Sequence, residues 1–182
     1  MLGIDPGLTR CGVGVVDVAA DRSARLVHVG VVRSPADARI ERRLAAIAAG
    51  IREVLAAHQP DVLAVERVFA QQNRNTVMGT AQASGIALLL AAEHGIPAAT
   101  HTPTEVKAAI TGYGGADKRQ VQTMVARILR LDELPKPADA ADALALALCH
   151  AWRGDGSAPT AAQGALTPAQ RAWAEAERGA RR

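Results

Sequence analysis

Four carboxylates occupy positions with chemical meaning. Asp5 closes a short apolar stretch and precedes Pro6-Gly7, Glu66 ends the apolar run Val62-Leu63-Ala64-Val65, and Asp139 and Asp142 lie three apart. Three-residue spacing puts the last two on one face of a helix. Ordinary structural roles exist for two of them, since Asp before Pro-Gly is a common turn former and Asp139 is well placed as an N-cap. Glu66 lacks such an explanation, because an acidic residue at the end of an apolar strand needs a partner or a metal. Asp142 sits among Ala140, Ala141, Ala143 and Leu144 and so points inward. If the strands carrying Asp5 and Glu66 are neighbours, all four acids converge. Such a cluster is unfavourable without cations, because like charges and desolvation raise each carboxyl pKa. Oxygen-only ligands suit hard octahedral Mg²⁺, with Mn²⁺ able to substitute. Two such ions, about 3.5 to 4 Å apart, can activate a water and stabilise the departing oxygen of a phosphodiester.

The positioning elements read as an α/β domain. Leu2 to Asp5, Cys11 to Val18 and Leu26 to Arg33 are valine-rich segments separated by turn formers, an expected antiparallel meander. Apolar residues at spacings of three and four predict a helix over Arg39 to His58, closed before Pro60. A buried strand, Val62 to Glu66, is followed by the polar loop Gln71 to Asn75. A helix over Thr76 to Glu93 ends before Gly95, and Pro97 to His101 and Thr104 to Ile110 form a short strand and a short helix. Thr111 to Gly115, with three glycines in five residues, is expected to be mobile. Helices over Lys118 to Leu131 and Ala138 to Trp152 follow, the second entered after Pro137.

Composition narrows the class. The 182 residues suit one resolvable core, assigned to residues 1–152. Residues 153–182 form an Ala/Gly/Pro-rich tail, with a short helix signalled near 167–178 by Thr167-Pro168-Ala169-Gln170. No run of 18 apolar residues is present, and Met1-Leu2-Gly3-Ile4 reads as a strand rather than a leader, so a cytoplasmic protein without membrane contact is expected. Cys11 and Cys149 are expected to be free thiols. Up to Trp152, 16 Lys or Arg stand against 15 Asp or Glu, so charge alone does not argue for nucleic acid. With four acids neutralised by metal, the remaining 16 against 11 make a basic surface suited to a polyanion.

Four segments, Leu2-Gly3-Ile4-Asp5-Pro6-Gly7, Val65-Glu66-Arg67-Val68-Phe69, Asp117-Lys118-Arg119-Gln120-Val121-Gln122 and Ala138-Asp139-Ala140-Ala141-Asp142-Ala143-Leu144-Ala145, occur in an order and spacing that resembles the RuvC-type Holliday-junction resolvases. That resemblance, extending to about Trp152, implies a ribonuclease-H-like fold with a five-stranded mixed sheet flanked by helices. It implies a homodimeric endonuclease of recombination and DNA repair, which nicks two strands of a four-way junction symmetrically and leaves 5′-phosphate ends. Asp5, Glu66, Asp139 and Asp142 match the metal-binding catalytic acids, and junctions would be delivered by the RuvA and RuvB branch-migration complex. Only four residues precede Asp5, from which a native start upstream is expected.

Five further residues are DNA-binding candidates. Phe69, the only phenylalanine, reads either as a core residue under the polar loop or as a wedge that stacks on an unpaired base; the resemblance favours the wedge. Lys107 and Lys118 match positions near the scissile phosphate. Both stay lysine in an arginine-dominated chain, which suggests that a compact ammonium is wanted there. Arg74 and Arg119 are candidate phosphate contacts. The helix carrying Gly79, Ala83, Gly85 and Ala87 suits either a dimer interface or packing on the sheet, and the resemblance favours the dimer.

Two rival readings differ in class. Gly3-Ile4-Asp5-x-Gly7 also resembles the first phosphate hairpin of actin-like and sugar-kinase ATP-binding proteins, but those have two lobes and a second Asp-x-Gly segment, and none is visible here. A non-catalytic junction-binding module would use the same basic residues without needing the acids.

Overall fold

The computed structural model describes residues 1–67 and 74–153, with side chains of 74–76 left aside. Five strands, β1 (Leu2–Asp5), β2 (Arg10–Val18), β3 (Ala24–Arg33), β4 (Leu63–Glu66) and β5 (Ala98–His101), form one sheet in the order β3-β2-β1-β4-β5. β1, β2 and β3 are the expected antiparallel meander, while β1, β4 and β5 run parallel. The sheet is therefore mixed, and β1 lies directly beside β4.

Five helices cover both faces: α1 (Ile40–His58), α2 (Arg74–Glu93), α3 (Pro103–Thr111), α4 (Lys118–Ile128) and α5 (Ala138–Arg153). One core packs Ile47, Ile51 and Leu55 of α1 and Ala87, Leu90 and Ala91 of α2 against Leu2, Ile4, Val13, Leu63 and Val65. The other joins Val106 and Ile110 of α3, Val121 and Val125 of α4, and the run Leu144–Cys149 of α5. Period-two strands split their side chains between these two layers.

Local chemistry explains the helix ends. Gln59 adopts the left-handed conformation after α1, just before Pro60. Thr102 caps α3 in a capping box with Glu105, and Asp117 caps α4 in another with Gln120. Several expected boundaries shift. α2 begins at Arg74, so Arg74 and Asn75 belong to the helix rather than to the polar loop. α4 stops at Ile128 instead of Leu131, where Arg130 takes a positive φ of 54°. Thr111 closes α3 and Gly112, at φ 78°, caps it. The glycine segment expected to be mobile is a hydrogen-bonded turn: Thr111 Oγ1 accepts from Tyr113 N, and Tyr113 O accepts from Ala116 N. Among the described residues no helix is long and apolar enough to cross a membrane, and both cysteines are free and buried. The polar loop up to Asn73 and the tail with its expected short helix lie outside the described residues.

Candidate active site

Small residues let α5 descend onto the sheet. The register sets Gly3 opposite Gly14 and beside Ala64, and Ala64 beside Ala99, so one row across four strands is glycine and alanine. A Cβ on Gly3 would stand 2.0 Å from the carbonyl oxygen of Ala143, and one on Gly12 would stand 2.0 Å from that of Asp139. Only glycine permits such an approach of helix backbone to strand backbone. The alanine-rich face of α5 completes the fit, since Ala140, Ala143 and Ala147 are fully buried.

The next row carries the chemistry. Asp5 lies opposite Gly12, Glu66 is one step past the Ile4–Val65 pair, and His101 lies beside Glu66. The first turn of α5 rests on this row and brings Asp139 and Asp142 to it. Asp139 is the second residue of α5, inside the helix, so the N-cap role expected from sequence does not hold. The convergence is written in the titration of Asp5 and Glu66. Burial first, then the charges of Glu66, Asp142 and Asp139, push the Asp5 carboxyl up to about 7, with Lys118 pulling the other way. Glu66 is raised by burial and then by Asp142, again opposed by Lys118.

Two cations meet the cluster. Lys118 Nζ lies 2.6 Å from Asp142 Oδ2, and Arg10 Nε lies 2.6 Å from Asp139 Oδ2. Partial burial works against the Lys118 ammonium, but its hydrogen bond to Asp142 and the attraction of Asp142, Asp5 and Asp139 outweigh it and raise its pKa. The Arg10 contact is ionic and not a directed hydrogen bond, which leaves the buried Asp139 Oδ2 without a donor. With Asp139 and Asp142 turned to these cations, no three His, Cys, Asp or Glu among the described residues surround a common point fit for an ion as the side chains stand. The donor set itself suits a hard divalent cation: four carboxylates, one with an orphaned buried oxygen and one held neutral-prone by burial and then by its acidic neighbours.

A cleft of about 240 Å³ opens beside the cluster, lined by Glu66, Lys107, Lys118 and Asp142 over the apolar floor of Val106 and Leu146. Lys107 and Lys118 thus line the same cleft as two of the acids, where the family resemblance had put them. Arg119 lines a different cleft with Tyr113, Asp117 and Thr123, away from the carboxylates. Phe69 lies outside the described residues, and the side chain of Arg74 is likewise not described.

Sequence reasoning missed Arg10 and the glycine row. The alternation Cys11-Gly12-Val13-Gly14-Val15 was the available signal for the row, since period two puts both glycines on one strand face. Nothing in the sequence singles out Arg10 before the β1–β2 register is known.

Residues 1–150 match the family model for crossover junction endodeoxyribonuclease RuvC. The crossover junction endodeoxyribonuclease RuvC of Leifsonia xyli is 60% identical over 194 residues, covering 100% of this chain and 93% of the relative. A solved structure of T. thermophilus RuvC in complex with Holliday junction substrate superposes with a TM-score of 0.80 at 39% identity, covering 85% of this chain and 94% of that one. The yeast mitochondrial Holliday junction resolvase shares the fold, with a TM-score of 0.58 at 13% identity over 81% of this chain and 77% of its own. These matches bear out the expected ribonuclease-H-like sheet, and they exclude the two-lobed ATP-binding alternative. The chain belongs to the RuvC family of crossover junction endodeoxyribonucleases.

Proposed function

We propose that this chain is a Holliday-junction endonuclease that hydrolyses phosphodiester bonds with a divalent metal held by Asp5, Glu66, Asp139 and Asp142. The observation that carries the reading is the single row and helix turn on which the four acids meet, with the buried Asp139 Oδ2 lacking a hydrogen-bond donor. When bound there, Mg²⁺ or Mn²⁺, two per site by family resemblance, supplies water activation and charge stabilisation at the phosphorus.

The residues of the chain do the rest. Glu66 and Asp142 face the cleft and orient whatever enters it, while Asp5, one register step past the Ile4–Val65 pair, carries a carboxyl whose raised pKa a bound cation would bring down. Lys118 and Lys107 line the cleft and would present ammonium groups to a phosphate entering it, offsetting its charge. Alignment relies on α5 resting on glycine, which leaves Asp139 and Asp142 little freedom to drift. Phe69 stacks on a base near the junction centre, and Arg74 and Arg119 contact the phosphate backbone; these three roles rest on family resemblance.

The same reading includes a homodimer. Met78, Gly85 and Leu89 of α2 form one outward stripe, with Met78 66% and Leu89 53% exposed, while Ala83, Ala87 and Leu90 pack the opposite side onto the sheet. Of the four small residues weighed for the dimer face, Ala83 and Ala87 are buried and Gly79 lies against Leu8, so packing within the chain takes those three and Gly85 alone of the four is on the outward stripe. Two such sites related by a two-fold axis would nick two strands symmetrically and leave 5′-phosphate ends. Delivery by RuvA and RuvB, and action in the cytoplasm, follow from family membership alone.

The test is cleavage of a synthetic four-way junction and of a linear duplex of the same sequence, in Mg²⁺ and in EDTA. Nicking of the junction alone, and only in Mg²⁺, is expected; equal cutting of the duplex or cutting in EDTA contradicts the reading.

A further inference from the structure

Arg10 opens β2 and is not among the residues lining the cleft beside the acids, yet its guanidinium reaches Asp139 across 2.6 Å. Its place in the sheet explains why. Arg10 pairs with Arg33 on β3, two like charges directly opposite on one sheet face, an arrangement that is unfavourable unless an anion intervenes. Arg10 is two residues from Gly12 and so shares its strand face. The backbone of Asp139 rests on Gly12, which brings the carboxylate within reach. Asp139 therefore serves two possible cations, the resident guanidinium and an incoming metal, through the same buried Oδ2 oxygen.

We propose that Arg10 is an internal competitor for the divalent cation: a positioning residue that holds Asp139 in the metal-free protein and is displaced when metal loads. This rests on the carboxylate–metal reading given above. Lys118 faces Asp142 at the same distance but also lines the substrate cleft, so its release serves the phosphate. Arg10 is not part of that lining, and its release returns it towards Arg33. The guanidinium thus subtracts from metal affinity while it steadies the empty carboxylate cluster. Arg10 is 43% exposed and Asp139 27%, so the competition is screened and its size is that of a partly exposed ion pair.

The test is titration calorimetry of Mn²⁺ into the full chain at fixed ionic strength, with thermal unfolding in EDTA, for wild type, Arg10→Gln, Arg10→Met, Arg10→Lys and Asp5→Asn. Arg10→Gln and Arg10→Met should bind Mn²⁺ roughly two- to fivefold tighter. Both should melt lower in EDTA, and Arg10→Lys should stay near wild type on both measures. A merely structural role predicts the opposite sign, weaker Mn²⁺ binding. Unchanged or weaker binding in both neutral variants overturns the proposal. Asp5→Asn separates the two levels: if it loses Mn²⁺ while the Arg10 variants do not gain, only the role of Arg10 falls. If it binds as wild type does, the metal site itself is wrong.

Discussion

Lys118 Nζ and Asp142 Oδ2 stand 2.6 Å apart at the mouth of the cleft that also holds Glu66 and Lys107. A largely exposed lysine beside a carboxylate in this cleft is poised to exchange that partner for a phosphate oxygen. Its raised pKa keeps it charged throughout the physiological range. A compact ammonium fits between Asp142 and an incoming phosphate, whereas a planar guanidinium would favour a two-pronged grip on the carboxylate. Lys118→Arg is therefore expected to reduce nicking of a four-way junction about tenfold, and Lys118→Met about a hundredfold. Single-turnover rates at fixed salt check both, and undiminished cleavage by Lys118→Arg would remove the idea.

Asp5 predicts a pH dependence whose sign is fixed. Its folded-state pKa of about 7 lies above the ordinary 3.8, so the folded chain binds this proton more tightly than the unfolded chain does. Stability from this group is therefore greatest at low pH, falls as pH rises between about 4 and 7, and stays low above. Asp5→Asn removes the effect. In EDTA at pH 8 the variant should melt several degrees above wild type, on a scale of roughly 2–4 °C per kcal/mol. The gap should close towards pH 4 and shrink in saturating Mg²⁺. The His28 and His101 rings, both held below the ordinary histidine value chiefly by burial, titrate alike in the two proteins and cancel in this difference. A variant that melts lower than wild type at pH 8 in EDTA contradicts the electrostatic account of the cluster.

Gly12 predicts how a backbone contact controls chemistry. An added Cβ would meet the carbonyl oxygen and carbon of Asp139 at 2.0 and 2.6 Å, with Asp5 Cβ at 3.2 Å, so α5 must move. Gly12→Ala should cost about 1–3 kcal/mol of stability. It should also reduce nicking far more than junction binding, since the acids shift while the basic surface stays. Denaturant unfolding, a binding titration and a cleavage assay on one preparation decide it; equal losses in binding and nicking would show that α5 does not position the site.

Much of this arrangement was legible in the sequence because each acid marks the end of an element. Asp5 and Glu66 follow apolar strands, and the three-residue spacing of Asp139 and Asp142 survives any small error in helix boundaries. The meander could be read from turn formers alone. What escaped is what depends on register: Arg10 gains meaning only when Arg33 lies opposite and Asp139 lies above. The start of α2 escaped because Arg74-Asn75 continues a polar, turn-like stretch of sequence, a composition that the helix overrides at these two residues. The capping boxes Thr102-x-x-Glu105 and Asp117-x-x-Gln120 were visible as spacings, and reading them would have placed both helix starts.

If the acids cut while other residues hold the junction, binding and nicking must separate on substitution. Wild type, Glu66→Gln and Asp142→Asn should be compared on one labelled four-way junction, with binding measured by gel shift in EDTA and nicking measured in Mg²⁺. Both variants are predicted to bind within about twofold of wild type and to leave the strands intact, a loss of roughly a thousandfold or more in nicking. Asp139→Asn, whose oxygen is shared with Arg10, should retain the most activity of the four acid substitutions. Nicking by Glu66→Gln at a rate near that of wild type would contradict the assignment of this carboxylate cluster as the active site.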